Sequence, residues 1–349
     1  MKEQEHKNGI KKIIRNSSFF VILIVLTYYF IFRKMDRKGL WLALKNTNIL
    51  FVIVAAILAC GNIFFESFIH YRNLRLLKEK TTFKSCVKYA IVGFFFSAIT
   101  PAATGGQPVQ VYYMHKDGIS YMNATISVLI QSFSYSTIMV LLGIFGYIIN
   151  FNYISNLGFF EYFFFIGVIV NTTIISLVLI IMFSKNLSKK ILNFVFKIID
   201  KFNHEKATSF KDKMTVQLSE YHDSAKFIMN NKKVVLKTLL TSTCQLISYH
   251  SVAFFIYLSL GVKHLNYIKV TSLQSLLYLS VSILPLPGTV GVNETGFSII
   301  YNPIISKNIV DSALLLTRGI SFYLCVVITG IILLILHIKK KKNKSTNIN

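Results

Sequence analysis

Apolar residues run through this chain in long blocks, not at alternate or every-third positions. The blocks are Ser18–Phe32, Ile49–Ile69, Cys86–Thr100, Ile119–Ile149, Phe159–Phe183, Val234–Leu260, Ser272–Pro285 and Ile309–His337. A helix of about twenty such residues crosses a hydrocarbon core of roughly 30 Å. The pattern predicts an all-α polytopic membrane protein with about six full spans. Two of the blocks are short and end in groups that disfavour hydrocarbon. TPAATGGQPVQVYYMHKDG (Thr100–Gly118) closes one, and PLPGTVGVNETGF (Pro285–Phe297) closes the other. Four of the five prolines, Pro101, Pro108, Pro285 and Pro287, fall in these two regions, and the fifth, Pro303, follows six residues after the second. Proline removes a backbone donor and breaks a helix. Broken backbone at membrane depth is tolerated only against protein or a watery cavity. Each stretch therefore reads as the tip of a re-entrant broken helix lining a polar site.

Charge placement gives a topology. Of the 38 Lys and Arg, 5 precede the first block, 5 lie in Arg33–Lys45, 6 in Arg72–Lys88, 12 in Lys185–Lys237 and 5 after His337. The connection Asn150–Phe160 has none. Cationic loops stay cytoplasmic, so the net charge of +24 reads as topology and attraction to anionic lipid rather than as RNA binding. Both termini are expected on the cytoplasmic side of the membrane. Arg33–Lys45 would then fall outside, unless DRKGLWLALK lies along the interface as an amphipathic helix. Parity completes the argument. Lys88 is inside and Asn150 outside, so only one of the two blocks between them crosses fully. The expected organisation is one integral membrane domain over 1–338 and a basic cytoplasmic tail over 339–349. Hairpins lie at about 86–116 and 272–301, and a cytoplasmic amphipathic loop at about 185–233.

The tips also read as an internal repeat. ITPAATGGQPVQVYY (Ile99–Tyr113) lies beside ILPLPGTVGVNETGF (Ile283–Phe297), with Pro101 against Pro285. A polar residue recurs about 24 positions on in each copy, Gln107 to Gln131 and Glu294 to Arg318. The copies enter from opposite faces, as in transporters built from inverted repeats of broken helices. The competing reading is that Pro/Gly turns between helices look alike by chance.

These segments, with LLLTRGISF (Leu314–Phe322), resemble the integral-membrane half of bacterial lysylphosphatidylglycerol synthases, a family that includes stand-alone flippase-like members. The likeness extends over nearly the whole chain. It implies re-entrant helices around a lipid-handling cavity with Glu294 and Arg318 at its polar centre. Many family members carry an acidic residue in the first tip and an arginine in the next helix. Here Gln107 and Gln131 stand in those places, so the first copy is uncharged. The full lysyltransferases add a soluble domain that takes lysine from lysyl-tRNA, and no such domain is visible here.

Charged groups inside apolar spans cost roughly 2.5–3.5 kcal/mol at the centre, so the few present are candidates. Arg318 offers a fork for phosphate oxygens, and Glu294 a site for an amine or a proton. Equally, the two form a salt bridge tying the second hairpin to the last span. Asn293, Gln107, Gln110 and Gln131 offer neutral hydrogen bonds to a head group, or act as glue between helices. Pro101, Gly105, Gly106, Pro285, Pro287, Gly288 and Gly291 form the hairpin tips. Glu66 reads as a boundary ion pair with His70 or Arg72, ahead of a transport role. His250 reads as hydrogen-bonded between helices. The scattered Cys60, Cys86, Cys244 and Cys325 read as small packing residues, and the 30 Phe and 18 Tyr as lipid-facing or interfacial. No metal cluster, nucleotide-binding fingerprint or hydrolase motif appears, and no cofactor is expected.

The expected function is translocation of phosphatidylglycerol, its lysyl ester or a related lipid. The alternatives are phosphatidylglycerol lysyltransferase, with a separate catalytic partner, and small-solute transport. Expected partners are anionic or aminoacylated phospholipids, with a transferase subunit or a second copy of the chain as further possibilities. Nucleic acid is expected only under the lysyltransferase reading.

Overall fold

The computed structural model describes residues 47–186 and 225–346 apart from 283 and 285, with single positions at 41 and 45 and several between 189 and 200. The predicted first span, the Arg33–Lys45 interface helix, most of the basic loop and the tip residue Pro285 lie outside the described residues. Within them the chain is all-helical. The elements are α1 (Ile49–Leu76), α2 (Phe83–Ile99), α3 (Gly106–Lys116), α4 (Tyr121–Ile149), α5 (Phe151–Ile154), α6 (Phe159–Phe183), α7 (Lys232–Ser259), α8 (Tyr267–Val281), α9 (Val292–Tyr301), α10 (Lys307–Arg318) and α11 (Cys325–Thr346). Five segments are long and apolar enough to cross a membrane: α1, α4, Phe159–Ile180 of α6, α7, and Lys307–Leu336, which runs through α10 into α11. The chain is an all-α polytopic membrane protein.

α2 and α8 have 17 and 15 residues, or roughly 25 and 22 Å at 1.5 Å per residue. Both stop short at a proline turn. Thr100 (φ −107°, ψ 146°) and Leu286 (φ −100°, ψ 137°) are extended, because a residue before proline is pushed out of the helical region. A single 3₁₀ turn follows each, Pro101–Ala103 and Pro287–Thr289. Each turn ends on a non-glycine residue with positive φ, Ala103 at 54° and Thr289 at 52°. Gly105 and Gly291 are then the N-caps of α3 and α9. The two segments thus share an order of elements but not every dihedral: Thr104 and Gly105 are helical (φ −69°, ψ −20° and φ −81°, ψ −21°), whereas Val290 is extended (φ −64°, ψ 136°) and Gly291 has φ 88°. The backbone register sets Pro101 beside Pro287, two residues from the pairing the sequence predicts, and sets Gln107 beside Asn293. The two turns pack on each other.

Small and amide residues let the helices approach, as is usual between helices in lipid. On α7, Ser248 Oγ donates to Leu58 O (2.8 Å) and Gln245 Nε2 to Asn62 Oδ1 (2.7 Å), both on α1. Asn150 Nδ2, capping α4, donates to Ser272 Oγ of α8 (2.8 Å), and Asn171 Nδ2 of α6 to Ser282 Oγ (2.9 Å). The main core, including Tyr257, Leu276, Phe297 and Tyr301, sits among α4, α7, α8, α9 and α10. Tyr89, Tyr257, Tyr301, Phe164 and Phe297 are fully buried. The expectation that aromatic residues face lipid therefore fails for this set: the Tyr89 and Tyr301 hydroxyls donate to Asp117 and to the Val270 carbonyl, and the Tyr257 ring packs on Phe297 and Tyr301. Ile53, Ile57, Ile148, Ile169 and Leu240 are among the exposed residues that make the lipid-facing surface. Cys86 and Cys325 pack inside as expected, but Cys60 and Cys244 are exposed.

Candidate functional site

The two proline turns close one end of a cavity of about 300 Å³ between α1, α2, α3, α4, α7, α8 and the last helix. That is the size range of a small-ligand pocket. The charged side chains lining it are Glu66 and Arg318. The rest of the wall is amides, including Gln107, Gln110, Gln131 and Gln245, and aromatic rings, among them Tyr135, Tyr249, Tyr278 and Phe322.

Arg318 ends α10, where the helix widens into a π-turn over Gly319–Leu324. It is 4% exposed, so its charge needs a partner. Arg318 Nε donates to Glu294 Oε1 at 2.8 Å and Nη2 to the Gly288 carbonyl at 2.9 Å. Glu294 Oε2 accepts the Gly291 N–H at 2.6 Å, which caps α9, and Tyr323 Oη reaches Oε1 at 3.4 Å. The guanidinium also lies 4.5 Å from the Phe322 ring centroid, a cation–π contact. Gly288 has φ 58°, and a Cβ there would run into that ring. One turn of backbone, one ion pair and one ring thus hold each other in place. These bonds engage Nε and Nη2 and leave Nη1 of a cavity-lining arginine for another acceptor. The predicted Glu294–Arg318 pair is brought together. Glu294 stands behind Arg318 and does not itself line the cavity. Asn293 is buried beside it and also lies off the cavity wall.

The first hairpin supplies amides where the second supplies charges. Gln107 is exposed and its Nε2 donates to Ser132 Oγ at 2.7 Å, the residue next to Gln131. The predicted Gln107–Gln131 pairing is therefore bridged by Ser132, whose hydroxyl stands 3.5 Å from Gln131 Oε1. Gln110 is buried; its Nε2 donates to Glu66 Oε1 at 2.6 Å and to the Tyr89 carbonyl at 3.2 Å. Gly93 and Gly106 make room for this packing, since a Cβ at Gly93 would meet Gln110 and one at Gly106 would meet Ser97 and the Gly93 carbonyl. Gly105 N–H donates to Thr100 Oγ1 at 2.9 Å and closes the turn.

Glu66 finds one of its two predicted partners. His70 Nε2 lies 3.7 Å from Glu66 Oε1, whereas Arg72 donates to Thr241 Oγ1 at 2.9 Å. The Glu66 carboxylate also lines the cavity. The wall tyrosines were also missed. Tyr135, Tyr249 and Tyr278 share the wall, and Tyr249 packs edge-on against Tyr278 at 5.4 Å. Their i, i+4 relation to polar residues (Gln131 to Tyr135, Gln245 to Tyr249) was the available signal. His250 is hydrogen-bonded to Ser275 at 2.8 Å, as expected. Among the described residues no three His, Cys, Asp or Glu come together as a metal site.

Comparison with known proteins agrees with this architecture. The profile of the lysylphosphatidylglycerol synthase TM region matches residues 18–329. A relative from Archaeoglobus fulgidus, described as a UPF0104 membrane protein, is 21% identical over 312 residues, covering 87% of this chain and 92% of its own length. With the match extending through both hairpins, α10 and the π-turn that follows it, the chain belongs to the lysylphosphatidylglycerol synthase TM region family.

Proposed function

We propose that this protein moves a phospholipid through its phosphodiester head group, anionic phosphatidylglycerol or the aminoacylated lysyl ester of it, between membrane leaflets. The observation that carries this reading is Arg318. It is a buried arginine on the wall of a cavity at membrane depth, held by Glu294 with part of its fork unused. A guanidinium matches phosphate oxygens with two parallel donors, and desolvating it is costly enough that such residues mark substrate paths. The amide and tyrosine walls supply neutral hydrogen bonds to glycerol or ester oxygens. In this reading the two hairpins are re-entrant from opposite faces of a bacterial plasma membrane. Their touching turns form the floor between two half-paths, with both termini cytoplasmic. The family's name supports a lysylphosphatidylglycerol-related cargo.

The test is leaflet transfer of fluorescent phosphatidylglycerol and its lysyl ester in liposomes holding the purified chain. Transfer that needs the chain and falls at least tenfold (about 1.4 kcal/mol) in Arg318→Gln is the expected result. A well-folded wild type that moves neither lipid would refute it. Lysyl ester made by the same chain from lysyl-tRNA and phosphatidylglycerol would point instead to the transferase activity.

A further inference from the structure

Glu66 has surroundings that lipid binding at Arg318 does not use. It sits in the middle of α1 with its side chain 14% exposed and on the cavity wall. Its Oε1 accepts from Gln110 Nε2. One helical turn on, His70 is fully buried, and its Nδ1 is hydrogen-bonded to Ser127 Oγ of α4 at 3.0 Å. His70 Nε2 is sealed from solvent and has no hydrogen-bond partner, with Glu66 Oε1 3.7 Å away. A buried imidazole nitrogen without a partner is uncommon, because the unmade bond costs about 1–3 kcal/mol. Here the unmade bond points to a proton. A proton on the carboxyl or on Nε2, shared across a slightly closed gap, satisfies both groups.

Of the cations on neighbouring stretches, Arg72 donates to the neutral Thr241 hydroxyl while its Nη1 is buried without a partner, Lys88 bonds Asp117, and Arg318 bonds Glu294. The titratable groups that remain near Glu66 are Tyr135 on α4, close enough to feel its charge, Tyr249 on α7, and Tyr89 on α2, whose hydroxyl is tied to Asp117. The Arg318–Glu294 pair is neutral as a unit, so Glu66 sets the net charge of the cavity. Ionised, it repels a second anion; protonated, it does not.

We infer that Glu66 and His70 form a proton-binding site that couples lipid movement to a proton gradient. The proton arrives from water through the cavity and forms an O–H bond on Glu66 or an N–H bond on His70. It leaves on the opposite side, with no redox change. This inference rests on the reading of an anionic lipid at Arg318. An anionic head group binds better when Glu66 is protonated, and by reciprocity a proton binds better when the lipid is present. Proton and lipid therefore travel in the same direction. A gradient of one pH unit is worth about 1.36 kcal/mol, or about tenfold in leaflet distribution for one proton per lipid.

The test uses proteoliposomes with fluorescent phosphatidylglycerol, an imposed pH gradient, and the membrane potential clamped by a potassium ionophore. Wild type is expected to enrich the probe in the leaflet facing the alkaline side, up to about tenfold per unit. Glu66→Gln, which keeps an acceptor for Gln110, is expected to lose the enrichment, so that whatever probe it transfers ends equal between leaflets. His70→Gln is expected to weaken the enrichment. An even wild-type distribution under the gradient overturns the coupling, and so does a Glu66→Gln variant that still follows it. Infrared difference spectra on acidification give an arm that needs no transport. A protonated-carboxyl band lost in Glu66→Gln, or an imidazolium band lost in His70→Gln, supports the proton site, and the absence of both from the wild type overturns it. If the wild type moves no lipid at all, the translocator reading falls, and the infrared arm still decides the site.

Discussion

The two hairpins share an order of turn and cap and differ in chemistry. Each has an extended residue, a proline turn, a residue with positive φ and a glycine cap in the same order. The second holds a buried ion pair within that frame; the first holds amides, one of which, Gln110, donates to a carboxylate of another helix. The frame is therefore separable from the charges it carries. Holding two broken helices tip to tip needs the prolines and glycines. What the cavity recognises depends on which side chains stand two to five residues beyond each cap and on the helix each one meets.

Substitutions should affect the two copies unequally. Arg318→Ala leaves Glu294 buried without its cation, a loss of about 3–5 kcal/mol. It should abolish lipid transfer and sharply lower the midpoint of heat-induced loss of the monodisperse peak in detergent. Wild-type behaviour in that variant would break the comparison. Gly288→Ala comes next. It places a methyl group against Phe322 at a positive-φ site, with an expected loss of about 1–3 kcal/mol, read by the same assay. In the first hairpin, Gln110→Leu strands the Glu66 carboxylate and the Tyr89 carbonyl. Stability should fall by about 1–3 kcal/mol, so a fall as large as that of Arg318→Ala would erase the supposed asymmetry. Gln107→Ala removes one exposed hydrogen bond and should cost less than about 1 kcal/mol. Smallest of all, Ala103→Gly and Thr289→Gly relieve positive φ but loosen the unfolded chain. Each should shift stability by under about 1 kcal/mol and both in the same direction. Opposite signs would show that the two turns are not equivalent.

Much of this was legible in the sequence because lipid makes hydropathy and proline unusually informative. The spans, the two tips and the Glu294–Arg318 pair follow from blocks, breakers and rare charges. Register was less legible. With Pro285 and Pro287 both available, only backbone conformation shows which one starts the 3₁₀ turn, and Pro287 does. Glu66 was read as a boundary group because His70 and Arg72 follow it. That spacing is blind to Thr241, which draws Arg72 away, and to Gln110, which arrives from 44 residues downstream. The tyrosines of the wall were hidden by their abundance, since most aromatic residues in such a composition serve lipid or interface.

The π-turn after Arg318 has a consequence for the face beyond it. An α-helix advances about 100° per residue, and a π-turn absorbs one extra residue. The stripe that α10 presents to the protein does not continue straight into α11. Past Leu324 it is rotated by about one residue's worth of arc. A cysteine-accessibility scan along 307–336 should show a helical period on each side of the turn, with a phase slip at Gly319–Leu324. Arg318 lies at the seam between two helical phases, with the buried face of α10 on one side of it and the more lipid-exposed α11 on the other.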